Sequence, residues 1–342
     1  MVAGLAESRT PLDKCCFSDL AKTLAPWVRR GPVVDTIAAS SMRMTPPLLS
    51  ALDRVLASID APRNLRALYA LLASFCAAGL LLAMAQSALV RDDNLFSALW
   101  MGLALAVAFF GVNATGLMLM DQARGLPVRD PQDALTDALR SAHRVLLALL
   151  ACLALGAVGV AVLAGLLWVT RWPWVGAPLL AVVLPAGVLL LGGLAFVMVV
   201  LVGPLAGPAV WAGRRSRGVL AFVRARMRHG LPETALLMAG VYLLTTLATA
   251  AVSFVVMTGS KLLAGLAILG AGVDLPAREL LAGVMGLGPR GFGASGMPLQ
   301  GGNLGVAALI GGGVVFALAL ALPTLVYLRG CCAVYLALTE DE

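Results

Sequence analysis

Arg214–Met257 reads RRSRGVLAFVRARMRHGLPETALLMAGVYLLTTLATAAVSFVVM, six arginines within its first seventeen residues and then no charge from Thr234 onward. The second half is long enough to cross a bilayer, which takes about 20 apolar residues. The first half is not a voltage-sensing helix, because its arginines lack the regular every-third spacing of one. On a helical wheel Arg217, Arg224 and Arg228 share one face, and Val219, Leu220, Val223 and Met227 share a neighbouring arc. Such a helix is expected to lie in the membrane interface with its arginines toward anionic headgroups. Lipid-headgroup contact is therefore assigned to Arg214, Arg215, Arg217, Arg224, Arg226 and Arg228. No aromatic residues alternate with the arginines as base-stacking platforms would, so nucleic acid is not a partner on this reading.

The surrounding chain has the same character. Of 342 residues, 60% are hydrophobic and 13% charged, with a mean hydropathy of +0.93; soluble domains carry roughly 25% charged residues. The net charge of +7 comes from arginine, since lysine occurs only at Lys14, Lys22 and Lys261. That bias, with abundant Ala, Leu, Val and Gly, suggests a bacterial source. Residues 1–64 are mixed and polar, without the charged-then-apolar pattern of a signal peptide. Phe17, Leu20, Leu24 and Trp27 fall on one possible helix face there, suited to docking on a complex.

Six segments qualify as spans: 67–90, 95–120, 145–169, 177–203, 234–257 and 304–328. The alternate connecting segments that include both termini hold 20 Lys/Arg and the others hold 5. The positive-inside rule then places both termini in the cytoplasm of a bacterial inner membrane protein. Residues 258–303, with 12 glycines, become an outer loop, read as two short helices and an irregular tract that lies flat, meets a partner or re-enters the membrane. Residues 337–342 read as a short acidic tail.

The helix-then-hairpin arrangement recurs. Before the third span, Asp130 and Pro131 can start a helix with a stripe of Leu135, Ala138, Leu139, Ala142 and Leu146, opposite Asp133, Asp137, Arg140 and Arg144. Arg140 and Arg144 join the expected headgroup contacts. Before the first span, Thr45-Pro46 can start a helix with the stripe Leu48, Leu52, Val55, Leu56 and Ile59. The fold class read from this is all-α: six transmembrane helices in three hairpins, each preceded by a cytoplasmic amphipathic helix. Over roughly residues 45–336 this layout resembles six-span bacterial integral membrane families, and is similar in outline to the membrane domain fused to some glycerophosphodiesterases. The resemblance implies a helical membrane bundle with an accessory or scaffold role, and carries over no catalytic residue.

The spans as drawn contain no Asp, Glu, Lys, Arg or His. Groups of that kind mark proton relays and ion paths, so their absence argues against proton-coupled pumping and intramembrane proteolysis. Gly293-Ala294-Ser295-Gly296 fails the nucleophile-elbow pattern, and no phosphate-binding glycine loop occurs. His143 and His229 stand singly at hairpin entrances, where each could ligate a tetrapyrrole axially; no cofactor is assigned. Cys15-Cys16 and Cys331-Cys332 are adjacent pairs, poorly spaced to chelate one metal ion, while Cys76 and Cys152 read as small core residues. Ala157, Ala161 and Gly165, and also Gly102 with Ala106, form small-residue faces for helix packing. Thr245 and Thr249 can bond across to a neighbouring span or back to their own helix, and Asn113 could line a polar cavity. Pro185 should kink the fourth span. The reading is a non-catalytic scaffold, assembly or accessory subunit that contacts anionic lipids and other membrane subunits. The alternatives are a channel or transporter for a neutral or lipidic solute gated by 258–303, and a tetrapyrrole-binding subunit.

Overall fold

The computed structural model describes residues 46–172, 176–266, 284 and 302–340. The chain divides into a first unit, Met1–Leu49, of which only 46–49 are described, and a second, Ser50–Glu342. The face proposed for Phe17 to Trp27 and most of the glycine-rich loop lie outside the described residues. The described residues are all-helical. α1 (Pro46–Leu56) runs into a 3-10 segment (Ala57–Arg63), followed by α2 (Leu65–Val90), α3 (Asn94–Ala123), α4 (Pro131–Val169) and α5 (Gly176–Val197). A π segment (Met198–Val202) leads into α6 (Gly203–Trp211), then α7 (Ser216–His229), α8 (Leu231–Leu266) and α9 (Gly302–Glu340). Six helical stretches are long and apolar enough to cross a membrane: Leu65–Leu89, Asn94–Ala123, Pro131–Val169, Pro178–Trp211, Leu231–Leu263 and Gly311–Thr339.

Three expected boundaries move. The segment before the third span is not a separate surface helix, for α4 runs unbroken from Pro131 to Val169. Nothing in Gln132–Val145 breaks a helix, whereas Gly230-Leu231-Pro232 divides α7 from α8. Residues 258–266, assigned to the outer loop, continue α8 and include Lys261. α9 carries on past Leu328 to Glu340, so Arg329, Cys331 and Cys332 sit within it, and Ala337 and Leu338 of the supposed tail are buried.

Local chemistry explains the ends. Asn64 caps α2, its Oδ1 accepting from the Ala67 amide at 3.2 Å. Asp130 does not cap α4 with its side chain; that carboxylate takes Arg66 Nη1 at 2.9 Å instead. α3 and α6 end alike. Gly125 (φ +69°) and Gly213 (φ +94°) take left-handed conformations a side chain would strain, and the following amides, Leu126 and Arg214, bond back to Asp121 and Ala209 carbonyls at 2.9 and 3.0 Å. Both are Schellman stops.

The fourth span departs from α geometry at an unexpected place. Helix continues through Pro185, and the irregular turn is Met198–Val202, just before Pro204. There the Gly203 amide bonds to Met198 O rather than Val199 O. In the shifted register the next donor would be residue 204, a proline without an N–H. The Val199 carbonyl is thus left over, and Tyr242 of α8 donates its hydroxyl to it at 2.8 Å.

Burial concentrates toward the end of the bundle where α3 and α9 finish and α4 and α8 begin. Leu71, Met118, Leu119, Met120, Leu201, Leu205, Leu237, Met238, Leu325 and Leu338 are all fully buried there. Toward their other ends α5 and α8 expose Leu189, Leu243, Phe254 and Leu266, a surface suited to lipid.

Which faces pack differs from the expected stripes. On α4 the buried line is Ala134, Ala138, Ala142, Val145, Ala148, Cys152 and Gly156, while Leu135, Leu139 and Leu146 are exposed. Lipid is as apolar as leucine, so helices approach along their small residues and leave leucines outside. Ala157, Ala161 and Gly165 are likewise exposed, and Gly165 has nothing within 4 Å of where a Cβ would stand. α5 meets α4 along Gly156, Gly159 and Leu163 instead. Gly102 is also open. On α1 Val55 is buried with Ala51 and Leu56 is exposed, as is Ile59 in the 3-10 segment that follows.

Candidate functional site

The polar chemistry of the described residues gathers at the end of the bundle where α3 stops and α4, α7 and α8 start. Asp121 stands in the last turn of α3, with its side chain only 9% exposed. Such a carboxylate needs a partner. Arg129 grips it with two bonds, Nε to Oδ2 at 2.6 Å and Nη2 to Oδ1 at 2.8 Å, and reaches Asp137 of α4 with Nη1 at 2.9 Å. The hydrogen bonds that Arg129 donates to Asp121 hold its guanidinium above its ordinary pKa, against the opposing effect of burial. This clamp fixes the turn between α3 and α4. Beside it Arg66 spans Asp130 at 2.9 Å and the Val128 carbonyl at 3.3 Å, and Asn64 Nδ2 donates to Gln122 Oε1 at 3.2 Å.

The arginine helix α7 lies against α9. Phe222 and Tyr335 meet edge to face at 5.4 Å, and Val219, Phe222 and Val223 are buried while Met227 is exposed. Two arginines assigned to headgroups turn inward. Arg214 sits 4.9 Å over the Phe222 ring and 5.8 Å from that of Tyr335, and Arg226 donates to the Leu338 carbonyl. Arg215, Arg217, Arg224 and Arg228 are exposed, as are Arg140 and Arg144 on α4, the positions headgroup contact requires. Ser216 ties α7 to the Arg144 carbonyl at 3.3 Å.

A cleft of about 430 Å³ opens at this same end. Arg54, Arg124 and Arg329 line it, with Ala57, Ala123, Ala333 and Leu336. Among the described residues no carboxylate lines it. Arg329 is half-buried on α9, where Nη1 donates to the Leu119 carbonyl at 3.2 Å; Arg124 Nη2 donates to the Ala212 carbonyl at 3.3 Å. Among the described residues neither arginine pairs with a carboxylate. The sequence reading missed this cleft because the apolar run stops at Leu328, which left Arg329 outside the last span.

The other proposed residues separate. His143 is exposed on α4, and the side chain of His229 lies outside those described. Among the described residues no three His, Cys, Asp or Glu side chains gather as a metal would need. Cys331 and Cys332 are buried in the helical core, and Cys152 faces α4's packed side. Asn113 is buried and bonded: it is 2% exposed, accepts from Trp211 Nε1 at 3.1 Å and donates to the Phe109 carbonyl at 2.8 Å. Thr245 and Thr249 bond back to the Val241 and Thr245 carbonyls at 2.8 and 2.7 Å, the second of the two expected arrangements. Comparison with protein-family models, with curated proteins and with solved structures found no match to this chain.

Proposed function

We propose that this multi-pass protein is a non-catalytic scaffold or accessory subunit of a larger bacterial inner-membrane complex, with its arginine-rich end and both termini in the cytoplasm. The observation that carries the reading is the uncovered small-residue face of α4. Ala157, Ala161 and Gly165 recur one turn apart and are exposed, while the same helix uses a different line of small residues to pack within the chain. In a bilayer, helix pairs form along such faces because backbones can approach closely there. The hydroxyls of Thr245, Thr246 and Thr249 donate to carbonyls of their own helix, so their presence in α8 is accounted for without a solute. The exposed arginines of α4 and α7 match a headgroup-facing surface.

Affinity purification of the full chain from native membranes tests this. A stable membrane subunit should co-purify in fixed proportion, and Ala161→Ile with Gly165→Ile should release it while leaving the chain folded. Recovery of the lone chain, or a partner indifferent to both substitutions, would defeat the reading.

A further inference from the structure

We propose that the cleft between Arg54, Arg124 and Arg329 is a binding site for a phosphate group, the anion shared by acidic lipid headgroups and free phosphate. It does not depend on the scaffold role. Three guanidiniums from three separate elements (α1, the end of α3 and the last third of α9) line one cavity, and among the described residues its lining contains no acid. The nearest acids of the α3–α4 turn are committed elsewhere: Asp121 and Asp137 to Arg129, and Asp130 to Arg66. The carbonyl bonds of Arg124 and Arg329 use Nη2 and Nη1 respectively, and a guanidinium offers five N–H donors, so further donors remain on each. Carbonyl acceptors orient a guanidinium without cancelling its charge. Half-buried on α9, the Arg329 cation lies where an anion is favoured. Arginine's planar fork matches two phosphate oxygens at once, and basic pockets between transmembrane helices suit phosphate headgroups.

The rest of the lining narrows the ligand. Ala57, Ala123, Ala333 and Leu336 give an apolar wall next to the arginines. A bare inorganic ion leaves that wall wet, whereas a phosphodiester with a glycerol arm covers it. The expected occupant is therefore the headgroup of an acidic phospholipid, entering where the cleft opens at the end of the bundle.

The test uses the full chain in nanodiscs of phosphatidylcholine and phosphatidylglycerol, transferred to detergent and read by native mass spectrometry. The wild-type protein should retain phosphatidylglycerol in a slowly exchanging form. R124Q/R329Q should lose that retention at least tenfold, and R124K/R329K should recover part of it. R63Q, in the exposed Arg63–Asp60 pair outside the cleft, should leave it unchanged. R124Q alone guards against misfolding, since that side chain is exposed and only one carbonyl contact is lost. In the second arm, inorganic phosphate is titrated against thermal unfolding. Phosphate-dependent stabilisation lost in R124Q, with no lipid retained, would make free phosphate the occupant of the same site. Equal lipid retention in wild type and R124Q/R329Q, together with no phosphate effect that depends on these arginines, overturns the proposal.

Discussion

Replacing Arg129 by glutamine should destabilise the bundle by more than any exposed arginine does. The side chain is about one-third exposed, but the Asp121 carboxylate it grips is 9% exposed and accepts two of its bonds. Removing one partner of a fully buried ion pair costs about 3–5 kcal/mol, because the surviving charge is stranded. Solvent reaches Arg129 and Asp137, at 31% and 46% exposure, so part of that is screened; the expectation for R129Q is about 2 kcal/mol. R129K keeps the charge without the fork and should cost about 1 kcal/mol. R63Q breaks the Arg63–Asp60 pair, at 82% and 55% exposure, and should change stability by less than about 0.5 kcal/mol. Adding D121N to R129Q removes the stranded charge and should restore about 1 kcal/mol. Equilibrium unfolding in mixed dodecylmaltoside–SDS micelles, followed by tryptophan fluorescence, measures these four and the D121N single variant. Additive effects of R129Q and D121N, or an R129Q no worse than R63Q, would refute this account of the α3–α4 turn.

Gly116→Ala places a Cβ 2.3 Å from the Trp211 ring, a rigid neighbour buried in the core, and should cost about 1–3 kcal/mol in the same assay, whereas Gly102→Ala, with nothing within 4 Å, should be neutral. Tyr242→Phe strands the Val199 carbonyl left over by Pro204 and should cost about 0.6–1.7 kcal/mol, while Thr246→Val, which loses only a bond to its own helix, should cost less. Trp211→Phe leaves Asn113 Oδ1 without its indole donor at 2 % exposure, for an expected loss of about 1–3 kcal/mol.

The six helices long and apolar enough to cross a membrane were legible because hydrocarbon thickness sets a minimum length for an apolar run. Packing faces were not legible from leucine periodicity. That periodicity points inward only where water surrounds the protein, and here Leu135, Leu139 and Leu146 face out while Ala134, Ala138 and Ala142 face in. Small-residue spacing was the correct signal but an ambiguous one, since α4 carries two such lines and Gly156, not Ala157, meets α5. The last helix was read short because Arg329 follows its apolar run, which concealed that arginine and with it the cleft. Asp121 offered a usable clue. An acid at the very end of a span, eight residues before Arg129, is poorly placed without a partner, and the pair could have been inferred from that.

The central claim is that the chain crosses the bilayer six times with its arginine-rich turns together on the cytoplasmic side. Single cysteines at Asp92 and Arg171, in the α2–α3 and α4–α5 turns, and at Arg124 and Arg217, in the arginine-rich turns, can be probed in sealed spheroplasts with a membrane-impermeant maleimide. Labelling of the first two in intact spheroplasts, and of the last two only after lysis, is the predicted result. Labelling of Arg124→Cys or Arg217→Cys from outside contradicts it.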